Sequence, residues 1–186
     1  MHLHDRFATF LSASEIIEAT PALLNDQRRR FTSSPDIVLQ PNSVESVQKI
    51  MRFCFENRIR VTPQGGNTGL CGATVTTEGV LLNLSKLNRI RDINLADNSM
   101  TVEAGVILQN AQKAADKAGR LFPLSLASEG SCQIGGNIAC NAGGLNVLRY
   151  GSMRDLVLGL EVVLPNGELV SHLQPLHKNT TGYDLR

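Results

Sequence analysis

The chain has 186 residues, of which 42% are apolar and 19% charged, and its formal net charge is +1. That is enough for one domain of ordinary size or slightly more, with a real core. The near-neutral balance argues against counterion-driven binding of nucleic acid, which needs a concentrated basic face, and no apolar run approaches the roughly 18 residues that cross a bilayer. The four cysteines, Cys54, Cys71, Cys132 and Cys140, have neither paired CxxC spacing nor the density of a disulfide scaffold. They point to a reducing cytoplasm.

In chain order, "MHLHDRFATFLSASEIIEAT" lacks a basic head, a long apolar segment and a small-residue cleavage site, so no secretory signal is expected. His2 and His4 read as solvated terminal residues rather than a metal pair. Residues 1–34 form a helical lead-in, and its Arg28–Arg30 run reads as a solvated helix end or loop. "DIVLQP" (36–41) predicts a short buried strand stopped by Pro41. "SVESVQKIMRFCFENR" (43–58) predicts an amphipathic helix with Val44, Val47, Ile50, Met51, Cys54 and Phe55 on one face and Asn42 or Ser43 as cap. "RIRVTP" returns as a strand, and the strand-helix-strand unit favours a parallel pair.

Next comes "PQGGNTGLCGA" (63–73), then three predicted strands: "GVLLNL" (79–84), "IRDINL" (90–95) and "SMTVEA" (99–104), the last two joined by a turn at "ADN". "VILQNAQKAADKAG" (106–119) predicts a second helix with Ile107, Leu108, Ala111, Ala115 and Ala118 inward and Gly119 as terminator. A second glycine-rich loop, "SEGSCQIGGNIACNAGG" (128–144), precedes "LVLGLEVVLPNGELVSHL", a hairpin signal around Asn166-Gly167. The predicted class is α+β: a small parallel unit with helices, then a mainly antiparallel part with helices.

Nine of the sixteen glycines sit in the two glycine-rich loops. Either loop alone reads equally as a structural turn or as an anion nest, in which backbone N–H groups without neighbouring β-carbons converge on a phosphate. Asn67, Thr68 and Thr74 would add side-chain donors. Neither the P-loop lysine nor a strand-GxGxxG-helix unit with a later acid is present, so those two modes of nucleotide binding are excluded.

"TPQGGNTGLCGATV" resembles the pyrophosphate loop of FAD-linked oxidases of the vanillyl-alcohol oxidase type, which share a PCMH-type FAD domain, and "GSCQIGGNIACNAGG" resembles their second flavin loop. The order of "VLQPNSVESVQKIM", the first loop, "LLNLSKLNRI", "VEAGV", "FPL", the second loop, "LRYGSMRDLVLGLEVVLPNGEL" and "NTTGYDLR" strengthens the likeness from about residue 35 onward. "NTGLCG", "NAGGLNVLRYGS" and "NTTGYDLR" look most like the D-2-hydroxyacid dehydrogenase branch, which includes D-2-hydroxyglutarate, D-lactate and glycolate dehydrogenases, the first being the nearest likeness.

The resemblance implies a PCMH-type domain of two α+β subdomains, 35–85 and 86–186, with FAD extended between them. The cofactor contacts carried over are Pro63, Gln64, Gly65, Gly66, Asn67, Thr68, Gly69, Leu70, Ala73 and Thr74 from the first loop. Pro123, Ser128, Gly130, Ser131, Ile134, Gly135, Gly136, Asn137, Asn141, Gly143 and Gly144 come from the second region. Some relatives bond flavin covalently through a histidine where Asn67 stands here. Cys132 lies near a cysteine that others use but reads as a buried thiol, so FAD is expected to bind non-covalently.

In that branch the flavin oxidises a small 2-hydroxyacid to the 2-oxoacid, with cationic, basic and metal-binding groups supplied by a C-terminal substrate domain. No catalytic residue and no metal ligand is expected within this chain, which is expected to be incomplete at its C-terminus and inactive alone; a divalent metal would belong to the missing domain. His172 and His177 read as surface residues and Glu129 as a solvated loop carboxylate. Tyr150 and Tyr183 read either as cofactor neighbours or as packing, and Asn179 and Asp184 as ordering residues or a turn. The electron acceptor is undetermined, and no membrane anchor is expected. The competing readings are a non-catalytic nucleotide-binding or interaction module, and a structural domain with empty loops.

Overall fold

The computed structural model describes residues 2–175. Two units divide them, 2–87 with 163–169 and 88–162 with 170–175.

The first unit begins with α1 (Leu3–Phe7), a 3-10 turn (Ala13–Glu15), β1 (Ile16–Ile17) and α2 (Pro21–Leu24), so the lead-in contains a strand as well as helices. β2 (Ile37–Leu39), α3 (Val44–Glu56), β3 (Val61–Gln64) and β4 (Val80–Asn83) follow. The predicted cap of α3 is realised by Ser43, whose Oγ accepts from the Ser46 N–H at 3.1 Å. Val47, Ile50 and Cys54 of α3 are buried with Leu39, Val80 and Leu82, and burying a side chain such as Ile50 contributes about 2 kcal/mol. Phe55 departs from expectation and is exposed. Phe53 takes its place because α1 and the turn after it bring Phe7 and Phe10 to that flank of the helix, with ring centroids 4.9 and 5.4 Å away.

The sheet order is β1-β2-β4-β3, with β1 antiparallel and the others parallel. β2 and β3 are therefore parallel, as expected, but not adjacent, since β4 enters between them. Val80, Leu81, Leu82 and Asn83 are all buried, and a strand covered on both faces belongs in the centre. β3 carries Pro63, which has no N–H to give a ladder and is suited to the edge it occupies.

The second unit contains the antiparallel hairpin β5 (Ile90–Asn94) and β6 (Ser99–Val102), then α4 (Leu108–Lys117), whose Leu108, Ala111 and Ala115 are buried. Gly119 follows at φ +68°, the left-handed conformation that ends a helix without strain. The second glycine stretch is not wholly a loop, because it contains α5 (Ile134–Ala139). A Cβ on Gly135 would lie 2.7 Å from the Ala104 Cβ, so this glycine lets α5 approach the turn after β6. Short helices α6 (Val147–Tyr150) and α7 (Met153–Leu156) lead to β7 (Leu160–Val163) and β8 (Leu169–His172), which form the predicted hairpin with Gly167 at φ +83°.

Candidate cofactor site

The first glycine stretch leaves the C-terminal end of β3. Gln64, its last strand residue, is buried; its Nε2 donates to the Leu23 carbonyl at 2.9 Å and its Oε1 accepts from Asn83 Nδ2 at 3.2 Å. Its side chain therefore holds the loop's root. Beyond it, among the described residues, the backbone N–H groups of Gly65, Gly66, Asn67, Thr68 and Gly69 donate no hydrogen bond. Such a run of unspent donors must be satisfied by water or by a ligand. A Cβ on Gly69 would meet nothing within 4 Å, so no neighbouring chain requires a glycine there.

Asn67 is in the left-handed region at φ +51°, a conformation asparagine tolerates better than most residues. Its Nδ2 donates to the carbonyls of Ala22 at 3.1 Å and Asn25 at 2.7 Å, and its Oδ1 accepts from the Thr74 hydroxyl at 2.9 Å. The Asn67 and Thr74 side chains thus brace the stretch against the lead-in and each other, leaving the backbone N–H groups as the donors on offer.

Sequence reasoning missed the partner in this brace. Residues 21–29 wall an open cleft of about 620 Å³ whose other side is Gly66 and Asn67. Asp26 organises that wall: its Oδ1 accepts from the N–H groups of Phe31 at 2.7 Å and Arg30 at 2.6 Å, and its Oδ2 from Arg28 at 3.2 Å. The Phe31 N–H foremost, with those of Arg28 and Arg30, holds the Asp26 carboxyl below its ordinary value against the opposing effect of desolvation. An Asn-Asp pair before a basic run signals such a turn, but not what lies opposite it.

The other predicted residues lie in the second unit. Ser128 closes a turn by accepting from the N–H groups of Ser131 at 2.9 Å and Cys132 at 2.8 Å. Ile134 and Cys132 are core residues. Gly144 has φ +88°, and a Cβ there would lie 2.1 Å from the Ser125 oxygen; Asn141, at φ +46°, accepts from the Arg154 N–H at 2.9 Å. Pro123 O accepts from Asn146 Nδ2 at 2.9 Å. These residues shape the chain. Gly130 and Gly136 differ, since a Cβ on either would meet nothing within 4 Å. Beside Gly136, Asn137 is buried and its Nδ2 has no hydrogen-bond partner among the described residues.

Glu129 is half-buried and accepts from Gln112 Nε2 at 3.3 Å, rather than being simply solvated. Tyr150 is stacked under the Arg149 guanidinium, 5.4 Å from the ring centroid. His172 lies exposed on β8, while His177, Asn179, Tyr183 and Asp184 fall outside the described residues. Among those described, no three His, Cys, Asp or Glu side chains gather as a metal site, and no helix is long and apolar enough to cross a membrane.

In the first unit, unspent backbone donors beside an open cleft fit a ligand rich in acceptors; in the second, Gly130 and Gly136 face open space and one buried amide is orphaned. The family model that describes an FAD binding domain matches residues 35–172, most of the chain. The chain belongs to the FAD binding domain family. FAD is the cofactor of this family, and the run of free N–H groups in the first unit suits its pyrophosphate.

The FAD binding domain is 41% identical to a D-2-hydroxyglutarate–pyruvate transhydrogenase of Saccharomyces cerevisiae over 97% of this chain and 38% of that protein. It is 45% identical to a D-2-hydroxyglutarate dehydrogenase of Xanthomonas citri pv. viticola over 87% of this chain and 34% of that one. It therefore spans about a third of the length of these curated relatives. Among solved structures, an alkyldihydroxyacetonephosphate synthase superposes with a TM-score of 0.80 over 91% of this chain and 34% of its own; at 16% identity that likeness concerns the fold.

Proposed function

We propose that the chain is the FAD-holding part of a flavin-dependent dehydrogenase that converts a D-2-hydroxyacid, of the D-2-hydroxyglutarate, D-lactate or glycolate type, to the 2-oxoacid. The observation that carries the cofactor half is the run of unspent N–H groups from Gly65 to Gly69, braced by Asn67. The names of the relatives support the substrate half.

In this reading FAD, when bound, supplies the capacity to accept the two electrons the hydroxyacid loses. The backbone of residues 65–69 binds the pyrophosphate, with Pro63, Gln64, Leu70, Ala73 and Thr74 forming and bracing that loop. Gly130, Gly136 and Asn137 meet another part of the same molecule, and Pro123, Ser128, Ser131, Ile134, Gly135, Asn141, Gly143 and Gly144 hold the chain around it. The attachment is non-covalent: Asn67 offers no bonding nucleophile and Cys132 is buried in the core. Residues 35–85 and 86–186 act as the two subdomains of the cofactor domain, and 1–34 as its lead-in. Recognition of the hydroxyacid and transfer to an electron acceptor belong to parts of the whole protein outside this chain, and the cysteine pattern favours the cytoplasm, which fractionation would check.

Titration of the purified chain with FAD, followed by flavin fluorescence, tests the reading. Saturable binding released by acid precipitation is expected, with no dye-linked oxidation of D-2-hydroxyacids by the chain alone. Absence of binding sinks the cofactor half; colour retained in the acid pellet sinks the non-covalent attachment; turnover by the isolated chain sinks the assignment of substrate chemistry elsewhere.

A further inference from the structure

We propose that Arg29 is the counter-charge for the pyrophosphate, supplied by a segment N-terminal to the residues that match the family. The proposal rests on the FAD reading above. Residues 63–74 contain no lysine, arginine or histidine, so that stretch offers a doubly charged group only neutral donors. Among the described residues, Arg29 is the one basic residue lining the cleft shared with Gly66 and Asn67. The acid of that cleft, Asp26, has both carboxylate oxygens turned to backbone N–H groups of residues 28, 30 and 31 rather than to the Arg29 side chain.

Arg29 is also placed rather than merely nearby. The Asp26 N–H donates to the Phe31 carbonyl at 3.1 Å and the Arg29 N–H to the Asp26 carbonyl at 2.9 Å, closing a turn with residues 27–30 at its tip. Asn67 fixes that turn's base to the glycine stretch through Ala22 and Asn25. Among the described residues the exposed Arg29 side chain enters no hydrogen bond or ion pair. A charge-assisted bond from a guanidinium is roughly twice as strong as a neutral one and weakens as salt screens it.

Arg29 sits at φ +54°, where glycine is at ease and arginine is not. Arg29→Gly therefore removes the charge while favouring the native backbone. The 186-residue chain, Arg29→Gly and Arg29→Lys would each be titrated at low and high salt with FAD and with riboflavin, which has the ring but no phosphate. Arg29→Gly is expected to raise the FAD Kd about tenfold at low salt, the size of a lost charged hydrogen bond. The gap should narrow at high salt, with riboflavin affinity and the ligand-free melting temperature not lowered, and Arg29→Lys should recover most of the loss. Equal FAD affinity in Arg29→Gly, or equal losses for FAD and riboflavin, overturns the role of Arg29 alone. Failure of the unsubstituted chain to bind either flavin overturns the FAD reading and this proposal together.

Discussion

Individual glycines of the two stretches look alike in sequence, yet their surroundings separate them. Gly144→Ala would force a methyl onto the Ser125 oxygen at a left-handed φ and should lower stability by about 3 kcal/mol, visible as a lower melting temperature. Gly136→Ala enters open space on α5 and should leave stability unchanged or raise it by about 0.5–1 kcal/mol, while flavin titration shows weaker binding. The count of glycines left a structural turn and an anion nest equally open for either loop; which ones serve chain packing and which serve a ligand depends on atoms distant in sequence, so composition was silent on it. The same holds for Arg29, whose charge was legible and whose neighbours were not. Burial pushes the Cys54 thiol up to about 11. Above the ordinary thiol value of about 8.5, unfolding releases a proton that the folded chain retains, so this contribution to stability declines as pH rises towards 11. In native alkylation at pH 8, exposed Cys71 and Cys140 should label and buried Cys54 and Cys132 should be protected.

Among the described elements, the β5–β6 hairpin joins two arginines to one buried carboxylate. Glu103, just after β6, is buried and accepts from the Arg89 N–H at 2.9 Å, Arg89 Nη2 at 2.8 Å and Arg91 Nε at 3.3 Å. Desolvation opposes its ionisation, and the Arg89 bonds with Arg91 outweigh it, so the carboxyl is held below the usual glutamate value. A lowered folded value means that its stabilisation is present above about pH 4.3 and fades as pH falls through the folded value. Glu103→Gln should cost about 2 kcal/mol at pH 7 and flatten the loss of stability as pH falls below about 4.3 in chemical denaturation. Elements with a local signature were readable: the apolar spacing and Ser43 cap of α3, the Asn166-Gly167 turn and the Gly119 stop. What required the whole chain was less so. Phe53 displaced Phe55 because a distant helix supplied aromatic partners, β1 is two residues long, and α5 contains glycines that helix propensity disfavours.

For the molecule as a whole, FAD at a hundred times its Kd should add about 2.7 kcal/mol, a rise of roughly 5–10 °C in melting temperature for a chain of this size; a scan with and without FAD measures it. The position of β4 between β2 and β3 has a mechanical consequence. β3 and β4 are neighbouring parallel strands with Val61 opposite Val80, so residues 65–79 must travel back along the whole strand before β4 can begin, without the helix that usually makes this crossover. Their far end is clinched at Gly79, where a Cβ would lie 2.3 Å from the Arg60 oxygen. The stretch is fastened at both ends to one sheet, and Asn67 braces its middle against Ala22 and Asn25. Fraying of the edge strand β3 from β4 loosens the root of this stretch, so the residence time of FAD in the proposed site is expected to follow amide exchange at Val61, Thr62 and Gln64.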